Sequence, residues 1–202
     1  MAEHAANNAV DFWFDPGCPF TWATSTWARE AASARDAVIR WHVMSLAVLN
    51  EDQQVPEQFK ESLARSWRPV RLLAAACAEH GNETIGQLYA AIGRRVHDEK
   101  RQVDDQLLTE ALQEAGLPQQ LLAAADDPAM DAAVRDSHRQ GQDLVGTGSG
   151  SPITSFGGGP AFFGPVVSPA PTGAAALDLW DAMVAIGRVP GLSELKRARQ
   201  PL

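Results

Sequence analysis

The chain has 202 residues, enough for one large domain or for a domain with a sizeable insertion around an ordinary hydrophobic core. Its 45% hydrophobic and 21% charged residues are typical of a globular protein in water. A net charge of −8 argues against partners that need a positive field, so we expect binding neither to nucleic acid nor to anionic membranes.

The first ten residues, MAEHAANNAV, contain no basic region followed by an apolar core, so they do not predict a secretory signal. The sequence also has no run of about 18 apolar residues that could span a bilayer. We therefore expect a cytoplasmic location. In a reducing compartment, Cys18 and Cys77 are expected to be free thiols rather than a structural disulfide.

The first 52 residues show a β-α-β pattern. Val10 to Phe14 predicts a short buried strand, and Val38 to Met44 alternates as a second strand does. Between them, Asp15-Pro16-Gly17 predicts a turn and Trp22 to Ala34 a helix.

Residues 53–143 show helical periodicity and no convincing strand. A long helix is predicted to start at Pro56, to kink at Pro69 and to end near Gly81. Gly116 and Gly141 are predicted to end two of the helices that follow. These later helices are predicted over Thr84–Glu99, Asp104–Ala115, Pro118–Ala125 and Pro128–Gln140.

The C-terminal part returns to strand patterns. A flexible loop is expected over Gly146–Gly150, followed by a hairpin of Pro152–Phe156 and Pro160–Phe163 and a helix from Thr172 to Gly187. The sequence thus predicts one domain made of residues 1–52 and 144–202, and an inserted helical domain of residues 53–143.

The tetrad Cys18-Pro19-Phe20-Thr21 lies where the first strand gives way to the first helix. At a helix N-terminus, unpaired N–H groups and the positive end of the helix dipole favour a thiolate over a thiol. Pro19 suits the first helical turn because it has no N–H to leave unpaired. The tetrad therefore predicts a reactive thiol at Cys18, with Thr21 where a dithiol oxidoreductase carries its second cysteine.

The segments DFWFDPGCPFTW (11–22), WHVMSLAVLNE (41–51), VPEQFKESLARSW (55–67) and AFFGPVVS (161–168) resemble the DsbA-like branch of the thioredoxin superfamily. More narrowly, they are similar to the cytoplasmic mycothiol-dependent oxidoreductases, some of which are named nitroreductases. The resemblance covers nearly the whole chain and implies an α/β thioredoxin-like fold with a large all-helical insertion. Relatives commonly have cysteine where this chain has Thr21.

The resemblance also implies further site residues. Ser151-Pro152 matches the cis-proline pair that faces the cysteine in thioredoxin-like proteins, with the backbone of residue 151 presented to the substrate. Asn50 matches a residue facing the active-site groove, although a helix cap or turn explains it equally well. Pro19 and Phe20 are expected to contact a bound thiol or substrate, and Phe20 is expected to be partly exposed. Phe59 could line the same groove, although a buried aromatic explains it at least as well.

Other residues are given structural interpretations. The Thr21 hydroxyl could donate a hydrogen bond to the Cys18 sulfur, or it could belong to an ordinary residue of the first turn. Trp22 is interpreted as core packing and Cys77 as an inert core residue. The five histidines show no ligand spacing, so we expect no metal site.

The leading functional hypothesis is a cytoplasmic monothiol oxidoreductase that reduces disulfides or small electrophiles and has no tightly bound cofactor. Cys18 would attack as a thiolate, and an external thiol would resolve the mixed disulfide, mycothiol by resemblance or glutathione as its generic substitute. Its partners would be that thiol and a small-molecule or protein disulfide, and the sequence leaves a homodimer open. The alternatives are a thiol-dependent transferase or isomerase of the kappa-class type and a degenerate, non-enzymatic thioredoxin-like binding module.

Overall fold

A computed structural model of the chain describes residues 8–52, 54 and 56–198, and the side chains among them except those of residues 58–64. The expected groove contact of Phe59 therefore lies outside the described side chains.

A four-stranded sheet in the order β2-β1-β3-β4 organises the fold. Strand β1 (Ala9–Phe14) pairs in parallel with β2 (Val38–Val43) and antiparallel with β3 (Ile153–Phe156). Strand β4 (Ala161–Phe163) then pairs antiparallel with β3, which confirms the predicted hairpin. Every residue of central β1 is buried except Asp11, which is half-buried, so the sequence AVDFWF is apolar apart from that position, as expected of a strand covered on both faces.

Among the described residues, three helices belong to the part of the chain that builds the sheet. They are α1 (Pro19–Ala34), α2 (Leu46–Leu49) and α7 (Gly173–Ile186). Helix α1 begins three residues before the predicted start, because Pro19 occupies its first position, where a missing N–H costs nothing. Trp27 of α1 is fully buried and its indole N–H donates to the carbonyl of Ala176 on α7 at 2.9 Å.

In its described part, the segment between α2 and β3 contains helices and no strand, as predicted. Its α-helices are α3 (Glu57–His80), α4 (Asn82–Gly93), α5 (Asp105–Glu114) and α6 (Asp131–Val145). A π-helical turn, Arg94–Asp98, continues α4, and the 3₁₀ segments Gln119–Asp126 and Pro128–Met130 lead into α6.

Two details of this segment differ from prediction. The stretch predicted as a helix from Pro118 forms 3₁₀ turns, because prolines at 118 and 128 confine it to a short piece. Gly141 does not end a helix but lies inside α6, where a Cβ atom would come within 2.9 Å of the Trp13 ring. The glycine serves close packing there, and the helix ends at Gly146 instead.

One hydrophobic core runs through both parts of the chain. Phe12 and Phe14 of β1 share it with Tyr89 of α4 and Leu108 of α5, all of them fully buried. The Tyr89 ring stacks on the Phe14 ring with centroids 4.0 Å apart. The inserted helices therefore pack directly behind the strand that leads to Cys18.

Across the described ranges, no helix is both long enough and apolar enough to cross a membrane.

Candidate active site

Cys18 occupies the N-cap position of α1, with φ −85° and ψ 116°. Its N–H donates to the Asp15 carbonyl at 3.1 Å, and its own carbonyl accepts the first helical hydrogen bond, from Trp22, at 3.0 Å. No acidic residue stands in the first turn of α1, so nothing there offsets the positive end of the helix dipole. We call residues 15–18 the cysteine turn. It presents the thiol where a helix N-terminus favours negative charge.

The Ser151-Pro152 peptide bond is cis, as predicted, and it faces the cysteine. The Cys18 Sγ lies 3.8 Å from the Ser151 carbonyl oxygen, within the range of a sulfur hydrogen bond. Gln142 of α6 fixes the approach to this loop, since its side chain accepts from Gly148 N–H at 2.8 Å and donates to the Ser149 carbonyl. The loop predicted to be flexible is thus tied to α6 just before the cis bond.

Thr21 has a different partner from the one expected. Its side chain is fully buried, and its Oγ1 lies 2.7 Å from the Ser151 hydroxyl. An oxygen is a stronger hydrogen-bond partner than a sulfur, so the hydroxyl pairs across to the cis-proline loop rather than with Cys18. Thr21 therefore links α1 to the loop that faces the thiol.

Asp15 is a buried site residue that sequence reasoning interpreted only as part of a turn. Its carboxylate accepts the N–H of Gly17 at 2.7 Å and the N–H of Leu46 at 2.6 Å. Its backbone N–H donates to the Ser151 hydroxyl at 2.9 Å. Burial raises the pKa of Asp15 to about 6, although the two N–H groups act in the opposite direction.

The rim of the site carries two of the predicted residues. Phe20 is half-buried, which confirms the expected partial exposure, and Pro19 before it is exposed. Asn50 follows α2, and its side-chain amide donates to the Leu46 carbonyl at 2.6 Å. The structure thus confirms the helix-cap interpretation of Asn50, while a contact with substrate stays a prediction.

Trp22 and His97 join the insertion to the cysteine turn. Trp22 is half-buried rather than fully in the core, and its indole N–H donates to Asp98 at 2.8 Å. The His97 ring stacks on Trp22 at 5.9 Å, and its Nε2–H donates to the Pro16 carbonyl at 2.8 Å. Burial lowers the pKa of His97, so the ring is neutral at neutral pH. No local pattern around His97 indicates this contact, which only the tertiary fold creates.

A half-buried arginine lies behind the site. Arg29 of α1 packs against three aromatic rings, with its central carbon 4.6 Å from the Trp41 centroid, 5.1 Å from Tyr89 and 5.8 Å from Trp22. Burial lowers the pKa of Arg29, and no carboxylate among the described side chains pairs with it. The faces of the aromatic rings supply the negative potential that a carboxylate would otherwise give.

The second cysteine lies on α3 and is half-buried against the core. Burial raises the pKa of Cys77, which agrees with the interpretation of an unreactive thiol. Over the described residues, no group of three His, Cys, Asp or Glu side chains is placed to hold a metal ion.

Comparison with known proteins gives a consistent picture. A family described as "Rv2466c-like: Mycothiol-dependent nitroreductase Rv2466c" matches residues 17–197. A relative described as "Uncharacterized protein Rv2286c" from Mycobacterium tuberculosis is 31% identical over 194 residues, which cover 95% of this chain and 83% of the relative.

Solved structures bear on the fold alone, because their sequence identities are low. The cytosolic disulfide reductase DsbM from Pseudomonas aeruginosa, solved with glutathione, is 20% identical, with a TM-score of 0.53 over 72% of this chain and 84% of that protein. A 2-hydroxychromene-2-carboxylate isomerase is 15% identical, with a TM-score of 0.57 over 89% of this chain and 95% of that protein. These neighbours confirm the predicted DsbA-like thioredoxin fold with its helical insertion.

Proposed function

The chain belongs to the Rv2466c-like family of thiol-dependent oxidoreductases, and on that premise we propose that it is a monothiol enzyme that acts through Cys18. The external thiol is mycothiol, with glutathione as its generic substitute. The observation that carries this proposal is the position of Cys18: at the N-terminus of a 16-residue helix, 3.8 Å from the Ser151 carbonyl, with Thr21 where a second thiol would stand.

The reaction is a series of thiol–disulfide exchanges. The Cys18 thiolate attacks one sulfur of a disulfide, so a new S–S bond forms at Cys18, the old S–S bond breaks, and the other half leaves as a thiolate. The low-molecular-weight thiol, as its thiolate, then attacks the substrate sulfur of the adduct, which releases Cys18 as a thiolate and leaves a mixed disulfide between the external thiol and the remaining half of the substrate. A second external thiolate attacks the external-thiol sulfur of that mixed disulfide and releases the remaining half as a thiolate. The substrate disulfide thus gains the two electrons that two external thiols lose as they form their own disulfide.

The surrounding residues have separate tasks in this scheme. Pro19 sets the helix start, and Phe20 offers an apolar face to the bound thiol. Ser151 and Pro152 form the edge on which a disulfide docks, and Thr21 holds that edge through the Ser151 hydroxyl. Asn50 closes the groove from the α2 side, with its amide nitrogen already committed to Leu46.

We place the enzyme in the cytoplasm, with a thiol and a small-molecule or protein disulfide as its partners. The acidic net charge of −8 supports neither a nucleic-acid nor an anionic-membrane partner. A homodimer stays a prediction, which sedimentation of the purified chain can test.

Intact mass after incubation with oxidised mycothiol tests the proposal. The wild type should gain one mycothiol, free mycothiol should reverse the adduct, and Cys18→Ser should gain none. Cys77→Ser is the matched control and should still gain one, because Cys77 lies on α3 against the core. A wild type without an adduct would instead favour the transferase or isomerase, or the degenerate binding module.

A further inference from the structure

The Asp15 carboxylate connects two backbone segments that lie far apart in the sequence. One oxygen accepts the N–H of Gly17 at 2.7 Å, and the other accepts the N–H of Leu46 at 2.6 Å. The residue is only 2% exposed, so water has almost no access to replace either bond. Both oxygens are thus occupied by protein N–H groups.

These two segments form opposite sides of the proposed site. Gly17 directly precedes Cys18, and Leu46 begins α2, which ends at Asn50 on the rim. The Asp15 backbone adds a third side, because its N–H donates to the Ser151 hydroxyl at 2.9 Å. One residue therefore contacts the cysteine turn, α2 and the cis-proline loop together.

We propose that Asp15 is a positioning residue for disulfide exchange at Cys18, its ionised carboxylate holding the cysteine turn and α2 in the arrangement that receives a disulfide. This inference rests on the proposed function, because it concerns the same reaction. Asp15 does not meet the substrate, since both its oxygens face the backbone of its own chain.

Ionisation matters because a protonated carboxyl carries a hydrogen on one oxygen. That oxygen and the backbone N–H opposite it are then both hydrogen-bond donors, so one of the two hydrogen bonds of the Asp15 carboxylate is lost. Burial raises the pKa of Asp15 to about 6, so this loss falls between pH 7 and pH 5 rather than near pH 4. Exchange at Cys18 should therefore weaken over that range by more than the titration of the thiol itself explains.

Other titratable groups face the same region, and the test has to separate them from Asp15. They are Cys18 itself, Tyr89 on α4, His97 in the 94–98 turn and His138 on α6. His138 bears on the same segment as Leu46, because its Nδ1 accepts the N–H of Ser45 at 3.4 Å. The charged group behind them is Arg29, which packs on the Tyr89 ring.

The experiment compares two reactions of the same thiol between pH 5 and pH 8. Alkylation of Cys18 by iodoacetamide measures the thiolate alone, whereas reaction with hydroxyethyl disulfide, which is uncharged throughout, also needs the docking edge. The ratio of the two rate constants removes the titration of Cys18. Cys77→Ser is the background for all variants, so that mass spectrometry follows a single thiol.

In the wild-type background we expect the ratio to be constant above pH 7 and to fall about tenfold towards pH 5. Asp15→Asn keeps the shape of the side chain but places a donor against one of the two N–H groups. Its ratio should be about tenfold lower at pH 7.5 and should no longer vary with pH. Asp11→Asn is the control: it removes a carboxylate from β1, where Asp11 bonds to His42 and Arg40, and it should behave as the wild type does.

A wild-type ratio that stays constant with pH would overturn the inference. An Asp15→Asn variant whose ratio still falls towards pH 5 would overturn it too, since the fall would then be due to His97 or His138. If the variant does not fold, NMR of the wild type decides: the amide proton shifts of Gly17 and Leu46 should titrate together with a midpoint near pH 6 as one of the two hydrogen bonds is lost, and shifts that stay constant between pH 8 and pH 5 would refute the proposal. Failure of Cys18 to react with any disulfide, despite alkylation, would instead count against the proposed function.

Discussion

The hydroxyl of Thr21 stabilises the cis-proline loop, so we expect its removal to act on docking rather than on the thiol. Thr21→Val keeps the shape but leaves the Ser151 hydroxyl without this partner, which should lower the free energy of unfolding by about 1–2 kcal/mol. The rate of mixed-disulfide formation should fall while iodoacetamide alkylation of Cys18 is unchanged. Thr21→Ser, which retains the hydroxyl, is the matched control. A drop in alkylation for Thr21→Val would mean that the hydroxyl acts on the sulfur after all.

A cysteine at the same position should convert the site into a dithiol. Residue 21 is fully buried one turn along α1 from Cys18, at the spacing that thiol-disulfide oxidoreductases use. Oxidised Thr21→Cys should lose the mass of two hydrogens, and its insulin reduction should exceed that of the wild type. Cys18→Ser/Thr21→Cys controls for pairing with Cys77. Failure to form the internal disulfide would mean that the two side chains do not approach each other.

Asp11 gives a stability prediction that depends on pH, because its folded-state pKa is lowered. Burial alone would raise its pKa, but hydrogen bonds from His42 and Arg40 lower it to about 2. A lowered folded-state pKa adds stability above pH 3.8 that is lost as the pH falls through about 2. Asp11→Asn should therefore cost about 2 kcal/mol at pH 7 and almost nothing near pH 2.

Urea unfolding at several pH values measures this difference. Asp143→Asn is the control, since Asp143 lies exposed on α6, and we expect it to change stability little at any pH. A loss for Asp11→Asn that does not depend on pH would assign the effect to packing rather than to charge.

Local sequence indicated the candidate nucleophile but not the buried residues around it. The tetrad at Cys18 and the pair Ser151-Pro152 carry their signal in consecutive residues, so they could be placed before any fold was known. Asp15 and His97 have no such signal, because Asp15 reads as a turn residue and its partner Leu46 is 31 positions away. Their roles arise only when separate segments meet.

At the scale of elements, glycines determine how closely helices approach the tryptophans. In α4, a Cβ atom at Gly86 would lie 2.5 Å from Trp41 Nε1, against a ring that is only 6% exposed. Gly86→Ala should therefore destabilise by about 1–3 kcal/mol, even though alanine favours helix by up to about 1 kcal/mol. Thermal unfolding measures the loss. Gln87→Ala, an exposed position on the same helix, should be neutral, and equal effects of the two changes would contradict the packing argument.

Close packing between glycines and tryptophans also explains why the sequence did not predict where α6 ends. A glycine near the end of a helical pattern usually marks a C-terminus, and Gly141 was interpreted that way. The requirement that overrides this tendency is the Trp13 ring across the interface, which no local pattern contains. Strand positions were more accurate, because the alternation and burial of β1 and β2 are local properties.

At the scale of the molecule, the continuous core predicts cooperative unfolding. Of the six tryptophans, all except Trp67 lie in residues 1–52 and 144–202, so fluorescence reports mainly on that part. Far-UV circular dichroism reports mainly on the helices of the insertion. Both signals should follow one transition with the same midpoint, because Phe14, Tyr89 and Leu108 share one core. Two separate midpoints would show that residues 53–143 unfold on their own.

The hydroxyl at position 21 also has a kinetic consequence for the enzyme in its cell. In a dithiol enzyme the second cysteine attacks the mixed disulfide and releases the bound partner, at a rate set by the structure of the enzyme itself. In the mechanism that we propose, no second thiol of the enzyme can release an adduct at Cys18, because the side chain one turn along is a hydroxyl already paired with Ser151. The lifetime of the adduct is then set by the supply of free thiol outside the protein. When the concentration of free thiol falls, the fraction of molecules with a mixed disulfide at Cys18 rises. That fraction therefore reports the concentration of reducing thiol around the enzyme.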